Sequence, residues 1–233
     1  MKPPPLRPFF SFFGGKWTLA PRYPPPAHEI LVEPFAGSAG YATRYPDRRV
    51  VLVERDPVVA GVWRYLLRVS PREIQRLPLD PEERHAPRLP PEARDLIGFW
   101  CARGRTKPAT TTNSPWLRSG RWASSFWGEY ARARIAAQVD SIRHWRLIEG
   151  DYTAAPNVVA TWFVDPPYVS SRHYCAKVRD YNALGDWCRT RRGLGIVCEQ
   201  EGADWLPFVH FRAARSINRI VNSEVVWVRD DGS

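Results

Sequence analysis

Cysteine and long apolar runs are both scarce in this chain of 233 residues. The four cysteines form no C-x-x-C pair and have no histidine at metal-ligand spacing, so we expect buried free thiols and neither a zinc site nor a disulfide framework. No apolar run reaches the roughly 18 residues that a membrane span needs. Prolines interrupt the N-terminal stretch where a signal peptide would have its apolar core. We therefore expect a cytoplasmic protein with no membrane partner.

Lysine is also scarce, although the chain is strongly basic. The net charge is +10 with a pI near 9.8, and only four of the 34 basic residues are lysine, which leaves 30 arginines. Clustered cations favour a polyanionic partner because they release counterions from phosphates, and arginine suits bidentate contacts with phosphate and guanine. A genome rich in G and C would enrich arginine without regard to function, so the composition leaves both explanations open.

Short apolar runs alternate with helical patterns, which indicates a parallel sheet covered by helices. The length and the hydrophobic content of 44% are typical of one globular α/β domain. Prolines break the helical segment 70–100, and the basic segment 101–125 is predicted to be a mobile loop. Helices are predicted over 57–69, 125–142 and 181–190, and strands over 29–33, 49–53, 146–149, 158–164, 194–199, 208–213 and 224–229.

The most informative motif is Asp165-Pro166-Pro167-Tyr168, which directly follows the apolar run 158–164. A residue before a proline is pushed towards extended geometry, which projects Asp165 from the strand end. A proline carbonyl can face a ligand because the ring has no N–H to pair, and Tyr168 can stack on a flat ring. These residues suit chemistry on a planar amine, and a strand that ends in a simple proline turn is the alternative.

A second motif ends the first predicted strand and reads Glu33-Pro34-Phe35-Ala36-Gly37-Ser38-Ala39-Gly40. Its small residues let a ligand approach the backbone. The helix expected to follow it offers free N–H groups to a nucleotide or to the amino-acid tail of S-adenosylmethionine. The G-x-G-x-x-G pattern of dinucleotide sites is missing, and a plain tight turn is the alternative.

Acidic residues follow two further strands. Glu54 lies about 20 residues after the loop, where an acid can accept hydrogen bonds from ribose hydroxyls. The alternative is an ion pair with Arg55 or Arg64. Asp151 can accept a hydrogen bond from an adenine amino group, or it can cap a turn. Because open parallel sheets bind ligands outside the carboxyl ends of their strands, we expect the polar groups at four strand ends to form one site.

Together with Phe13-Gly14-Gly15-Lys16-Trp17, these motifs stand in the order found in the Dam-like DNA adenine-N6 methyltransferases of bacteria and phages, and the chain resembles that family. The resemblance covers residues 9–68 and 145–229, and the segments 196–199, 202–208 and 223–227 are similar to phage-type members. Ala39 departs from the Phe-x-Gly-x-Gly loop of the family, since it stands at the second glycine. Alanine is nearly as small, so we expect the cofactor to bind.

The resemblance implies a doubly wound, mostly parallel Rossmann-like methyltransferase sheet built from residues 1–69 and 145–233, with a small inserted target-recognition region at 70–144. It implies transfer of a methyl group from S-adenosylmethionine, without a metal, to the exocyclic amine of an adenine flipped out of double-stranded DNA. Asp165 and the Pro166 carbonyl would accept hydrogen bonds from the amine, Pro167 would complete the catalytic turn, and Tyr168 would stack on the base. The expected product is S-adenosylhomocysteine, and the expected state is a monomer or weak dimer.

The resemblance also implies which residues contact the cofactor. Lys16 would contact its methionine end, Glu54 its ribose and Asp151 its adenine, while Phe35 would contact the adenine or support the loop. The full implied set is Gly15, Lys16, Trp17, Glu33, Pro34, Phe35, Ala36, Gly37, Ser38, Ala39, Glu54, Arg55, Asp151, Tyr152 and Asp165.

Basic and aromatic residues of the inserted region, and of the segment after the catalytic turn, are expected to face DNA. The candidates are Arg103, Arg105, Lys107, Arg118, Arg121 and Trp122, with Arg172, His173 and Tyr174 bordering the flipped base. A solvated basic loop is the alternative. Two other functions stay open, namely methylation of cytosine N4 or of an RNA adenine, and nucleic-acid binding without catalysis.

Overall fold

The computed structural model describes residues 3–85, 87–102, 104–110, 126–169, 177–215 and 221–230. Within these residues, seven strands form one sheet: β1 (Ile30–Glu33), β2 (Arg49–Glu54), β3 (Arg146–Glu149), β4 (Ala160–Val164), β5 (Gly193–Gln200), β6 (Val209–Arg215) and β7 (Val221–Asp230). Their order across the sheet is β3-β2-β1-β4-β5-β7-β6. Strands β1 to β5 pair in parallel, and β7 runs antiparallel to β5 and β6. The predicted strands are confirmed, with ends that agree within three residues.

Proline and capping side chains set where the helices begin. The helices are α1 (Pro57–Leu66), α2 (Pro71–Gln75), α3 (Pro91–Ala102), α4 (Glu129–Gln138) and α5 (Tyr181–Arg189). Three of them start with proline, whose missing N–H has no partner at a helix start anyway. Asp56 and Asp180 cap α1 and α5 through their carboxylates, and Ser70 forms a capping box with Glu73 at α2. The predicted proline breaks in 70–100 are confirmed.

Both faces of the sheet are buried. Successive strand residues point to opposite faces, so Leu31 and Val32 lie in different hydrophobic clusters. The first cluster packs β1, β2 and β5 against α1, α3, α4 and the N-terminal segment. The second packs the other face against α5 and Trp205. The chain therefore has an α/β fold with a mostly parallel sheet covered by helices on both faces, which is compatible with a Rossmann-like architecture.

The described helices of segment 70–144 belong to the same core as the sheet. Residues of α3 and α4 lie in the first cluster. The Trp100 indole donates to the Phe9 carbonyl at 2.9 Å. The Gln138 side chain hydrogen-bonds both the N–H and the carbonyl of Arg7, at 3.1 and 2.7 Å. These helices thus pack on the N-terminal segment, while a role of 70–144 in target recognition stays a prediction.

Two predicted boundaries differ from the structure for local reasons. Helix α4 begins at Glu129 and not at residue 125, because the buried Trp127 first turns inward and its indole donates to the Pro78 carbonyl at 2.7 Å. Strand β4 begins at Ala160 and not at residue 158, because the Val158 N–H closes a tight turn onto the Pro156 carbonyl at 2.9 Å. Tertiary contacts and turn geometry override apolar periodicity at both places.

The helix expected directly after the β1 loop is absent from the described chain. A single 3-10 turn, Ala42–Arg44, stands in its place. The Ala42 N–H at the start of this turn donates to a carboxylate oxygen of Glu33 at 2.5 Å. The N–H groups that the loop can offer to a ligand therefore lie before residue 42.

Candidate functional site

The carboxyl ends of β1, β2, β3 and β4 open into one cleft of about 690 Å³. Neighbouring parallel strands end at the same edge of the sheet, so motifs that lie far apart in sequence meet there. The cleft thereby brings together most of the predicted site. The predicted residues that line it are Gly15, Lys16, Glu33, Pro34, Phe35, Ala36, Gly37, Ser38, Glu54, Arg55, Asp151, Tyr152, Asp165 and Pro167.

Four predicted residues do not line the cleft. The Trp17 indole donates to the Leu6 carbonyl at 2.6 Å, and the Arg44 guanidinium lies 3.8 Å from the ring centroid, so the Trp17 ring does not face a cleft ligand. Ala39 is fully buried beneath the loop. Pro166 is buried in the turn, and Tyr168 is held behind Lys16.

A lysine and a carboxylate from opposite ends of the sequence form the polar centre of the cleft. The Lys16 ammonium lies 2.8 Å from the Asp165 carboxylate and donates to the Tyr168 hydroxyl at 2.7 Å. Burial alone would lower the pKa of Lys16, but the carboxylates of Asp165 and Glu224 outweigh it and raise that pKa, so the ammonium stays charged. Burial raises the pKa of Asp165, and the charge of Lys16 limits that rise.

Glu224 completes this centre, and sequence reasoning gave it no role. One of its oxygens accepts hydrogen bonds from the hydroxyls of Tyr23 and Tyr168, the latter at 3.2 Å, and lies 3.6 Å from the Lys16 ammonium. The segment 223–227 was matched to phage-type members by its sequence, without a role for Glu224. Tyr23 lies in a proline-rich stretch without a motif. Only the position of β7 beside β5 reveals their contact with the site.

Glu33 is a buried carboxyl group at the floor of the cleft. Its side chain accepts hydrogen bonds from the backbone N–H groups of Ala42 and Tyr41. Burial nevertheless raises the pKa of Glu33 to about 8, because removing a carboxylate from water costs more than these hydrogen bonds return. A large part of the Glu33 population is therefore neutral near pH 7.

Glu54 is held by backbone amides and not by Arg55 or Arg64, which the sequence offered as alternative ion-pair partners. Its two oxygens accept from the N–H groups of Gly37 and Asp56, at 2.9 and 2.8 Å, and burial raises its pKa. Arg64 instead binds Glu149 in a bidentate pair, and Arg55 pairs with Asp151. The Glu54 carboxylate is thus fixed at the end of β2, facing the cleft.

An arginine spans the mouth of the cleft. Arg55 binds the Asp151 carboxylate at 2.9 Å and the Lys177 carbonyl at 3.3 Å. Asp151 precedes a 3-10 turn but makes no side-chain cap there, so the turn-cap alternative is not observed. The rings of Phe35 and Tyr152 stack beside this pair, with centroids 5.5 Å apart. Together these residues form a rim with both a flat aromatic wall and exposed hydrogen-bond acceptors.

The lining of the cleft is acidic although the chain as a whole is basic. Among the described residues, four cationic ones face it, namely Lys16, Arg55, Lys177 and Arg179. Six carboxylic residues of the same described part face it, namely Glu33, Glu54, Asp56, Asp151, Asp165 and Asp180. Such a lining disfavours a polyphosphate and favours a ligand with positive charge.

Two of the predicted DNA-facing residues are described by the structure. Arg105 and Lys107 are exposed on either side of Thr106, which lines the cleft. Both cations therefore stand at the cleft rim. The other candidates, Arg103, Arg118, Arg121, Trp122, Arg172, His173 and Tyr174, lie outside the described residues.

In comparisons with known proteins, no protein-family model and no curated protein matches the chain. In the part of the chain that the structure describes, no group of three or more His, Cys, Asp or Glu residues is placed to hold a metal ion. Of the helices in that part, none combines the length and the apolar character needed to cross a membrane. The interpretation of the site therefore depends on the cleft itself.

Proposed function

We propose that the protein transfers a methyl group from S-adenosylmethionine to the N6 amine of a flipped adenine in double-stranded DNA. The observation that carries the proposal is the Lys16–Asp165 ion pair in a cleft where four strand ends converge. The strand order, with β7 antiparallel beside β5, is compatible with the methyltransferase sheet that the resemblance implies. The site carries the proposal, because the fold alone hosts many activities.

The cleft suits S-adenosylmethionine in charge and size. That molecule carries a sulfonium and an ammonium against one carboxylate, so a lining with more acids than bases attracts it. The cleft volume of about 690 Å³ falls within the roughly 300–1,000 Å³ of ordinary ligand sites. When bound, S-adenosylmethionine supplies a methyl group on a positively charged sulfur that leaves readily.

The residues at the strand ends can divide the recognition of this molecule between them. Glu54 accepts from the backbone amides of Gly37, Asp56 and Arg55, and a carboxylate has about four acceptor sites, so it can still accept from a ribose hydroxyl. Phe35 and Tyr152 offer a flat wall for the adenine ring. Asp151 uses one oxygen for Arg55 and can accept the adenine amino group with the other.

Asp165 would activate the substrate amine. The exocyclic amine of adenine shares its lone pair with the ring and is a poor nucleophile. The Asp165 carboxylate, which lines the cleft, would accept an N–H group of the amine, which localises the lone pair and aims the nitrogen. The negative charge of Asp165 would also stabilise the positive charge that grows on nitrogen, and this carboxylate would accept the proton that the amine releases.

The test is to incubate the purified protein with labelled S-adenosylmethionine and unmethylated duplex DNA, then to digest the DNA and identify the labelled nucleoside. We expect N6-methyladenine. Label in N4-methylcytosine, or in an RNA supplied in parallel, would replace the proposal with the corresponding alternative. Cofactor binding without label in any nucleic acid would favour a non-catalytic binding protein.

A pair of variants tests the mechanism in the same assay. Asp165→Ala should abolish labelling while the fold is retained. Asp186→Ala, which removes an exposed carboxylate from α5, is the matched control and should keep activity. Full activity in Asp165→Ala would contradict the proposed role of Asp165.

A further inference from the structure

Glu224 is a partly buried carboxylate that the proposed reaction does not use. Its side chain is 12% exposed, although β7 lies near the edge of the sheet. Two tyrosine hydroxyls, from Tyr23 and Tyr168, donate to one of its oxygens. A carboxylate kept this far from water is costly unless a positive charge compensates it. The compensating charge here is Lys16, at 3.6 Å.

Lys16 is shared by two carboxylates. Within the part of the chain that the structure describes, its ammonium lies 2.8 Å from Asp165 and 3.6 Å from Glu224. With all three groups charged, the cluster carries one net negative charge. Paired with Lys16 alone, Asp165 would have its charge neutralised and one oxygen fully engaged. The second carboxylate prevents that complete neutralisation.

We propose that Glu224 is a positioning residue that holds Lys16 and Tyr168 and thereby leaves the Asp165 carboxylate able to accept a substrate amine. An amine that donates to Asp165 competes with the Lys16 ammonium for the same carboxylate. Glu224 gives Lys16 a second partner within the cluster, so the ammonium stays bound while the amine enters. The inference rests on the proposed function and assigns a role to a residue outside its motifs.

Several ionisable groups act on Asp165, and among the described residues Glu224 is the carboxylate that shares the Lys16 ammonium with it. The negative charge of Glu224 raises the pKa of Asp165, and the positive charge of Lys16 lowers it. Removing the charge of Glu224 should therefore lower the pKa of Asp165. The groups that act on it are Lys16 of the N-terminal loop, Glu33 of β1, Tyr168, Cys198 and Glu199 of β5, and Glu224 of β7, with Tyr23 behind them.

The test uses Glu224→Gln, which keeps an oxygen for both tyrosine hydroxyls and removes the charge. We expect kcat on DNA to fall by about 10-fold or more, because Lys16 then pairs with Asp165 alone. The Kd for S-adenosylhomocysteine, measured by calorimetry, should change by less than about three-fold. Without any ligand, the titration of the Asp165 carboxyl carbon, followed by carbon-13 NMR, should move to lower pH.

The control variant is Glu201→Gln, an exposed acid in the turn after β5, which should leave all three quantities unchanged. An active wild type with an unchanged kcat in Glu224→Gln overturns the role of Glu224 and leaves the proposed function standing. A wild type that transfers no methyl group to DNA overturns the proposed function. In that case the NMR titration still decides the inference, since an Asp165 titration that does not move in Glu224→Gln refutes it.

A second variant covers the case in which Glu224→Gln does not fold. Glu224→Asp keeps the charge but withdraws it by one methylene group from Lys16. We expect a folded Glu224→Asp to lose about three-fold or more in kcat, with the Kd for S-adenosylhomocysteine kept. A wild-type kcat in that variant would count against the proposal.

Discussion

Single residues decide how the fold responds to pH, and Glu33 is the clearest case. Burial raises its pKa from 4.5 to about 8. The folded protein therefore binds this proton more tightly than the unfolded chain does. The resulting stabilisation is present at low pH and is lost as the pH rises from about 4.5 towards 8.

Glu33→Gln should remove this pH dependence. We expect the free energy of unfolding of the variant to rise relative to the wild type between pH 5 and 8, by at most about 1.4 kcal/mol per pH unit. Urea unfolding at several pH values measures it. Glu29→Gln, at a carboxylate that is 74% exposed, is the control and should show a constant difference from the wild type. A constant difference for Glu33→Gln would mean that Glu33 is not the titrating group.

Ala39 shows that conformation, and not size, makes its position unusual. Its φ is +49°, in the left-handed region that favours glycine. Holding an L-residue there costs roughly 1–2 kcal/mol. Losing its buried methyl group and adding glycine's backbone freedom would each cost on the order of 0.8 kcal/mol. In an Ala39→Gly variant, the relief of strain therefore nearly cancels these two losses.

Ala39→Gly should therefore change the free energy of unfolding by less than about 0.5 kcal/mol. Ala42→Gly is the matched variant, since Ala42 is also fully buried but has no positive φ. It should destabilise the protein by about 1–2 kcal/mol, because no strain is released. Chemical denaturation compares the two. Equal losses would show that Ala39 is not strained.

At the scale of the elements, helices α5 and α1 each contain a glycine, and the space beside the two glycines differs. Gly185 lies in α5, where a Cβ atom would come within 2.7 Å of the Trp205 carbonyl oxygen. Gly61 lies in α1, where a Cβ atom would meet only the Glu92 side chain at 3.3 Å. Glycine inside a helix is less favourable than alanine by about 1 kcal/mol, so an alanine helps wherever space allows.

Gly185→Ala should destabilise the protein by about 1–3 kcal/mol, because α5 must move away from the backbone at residue 205. Gly61→Ala, the control, should be neutral or stabilising by up to about 1 kcal/mol. Thermal unfolding of the two variants provides the comparison. A stabilised Gly185→Ala would mean that α5 does not pack closely on that segment.

For the molecule as a whole, the charge is divided between a basic surface and an acidic cleft. The chain carries a net charge of +10, whereas carboxyl groups outnumber cations in the cleft lining as far as the structure describes it. DNA binding releases counterions, so its affinity should depend strongly on salt, whereas S-adenosylhomocysteine, which is nearly neutral overall, should bind with little dependence.

We expect DNA affinity to fall by about 100-fold or more between about 50 and 200 mM salt. The Kd for S-adenosylhomocysteine should change by less than about three-fold over the same interval. Fluorescence anisotropy of labelled duplex DNA and calorimetry measure the two. A DNA affinity that salt does not weaken would contradict a phosphate-based interface. It would favour the alternative explanation, in which a genome rich in G and C accounts for the many arginines.

Local patterns of the sequence determined the elements and the cleft-lining motifs. Apolar runs, prolines and capping residues act within a few positions, so the strands and the strand-end residues Glu33, Glu54, Asp151 and Asp165 could be named without the structure. Parallel strands then end at one edge, which brings these residues to one cleft. The substitution of a 3-10 turn for the expected helix after β1 was beyond such reasoning, because it depends on the buried carboxyl group of Glu33.

Only the tertiary structure decided which groups meet around Lys16. Tyr23 and Glu224 are 201 residues apart and Lys16 and Tyr168 are 152 apart, so no periodicity links them. Their contact depends on the insertion of β7 between β5 and β6, which is a property of strand order. The sequence by itself determined that a carboxylate would stand at the end of β4. The surrounding fold determined the charge that it faces, because burial and neighbouring charges are set by packing between distant segments.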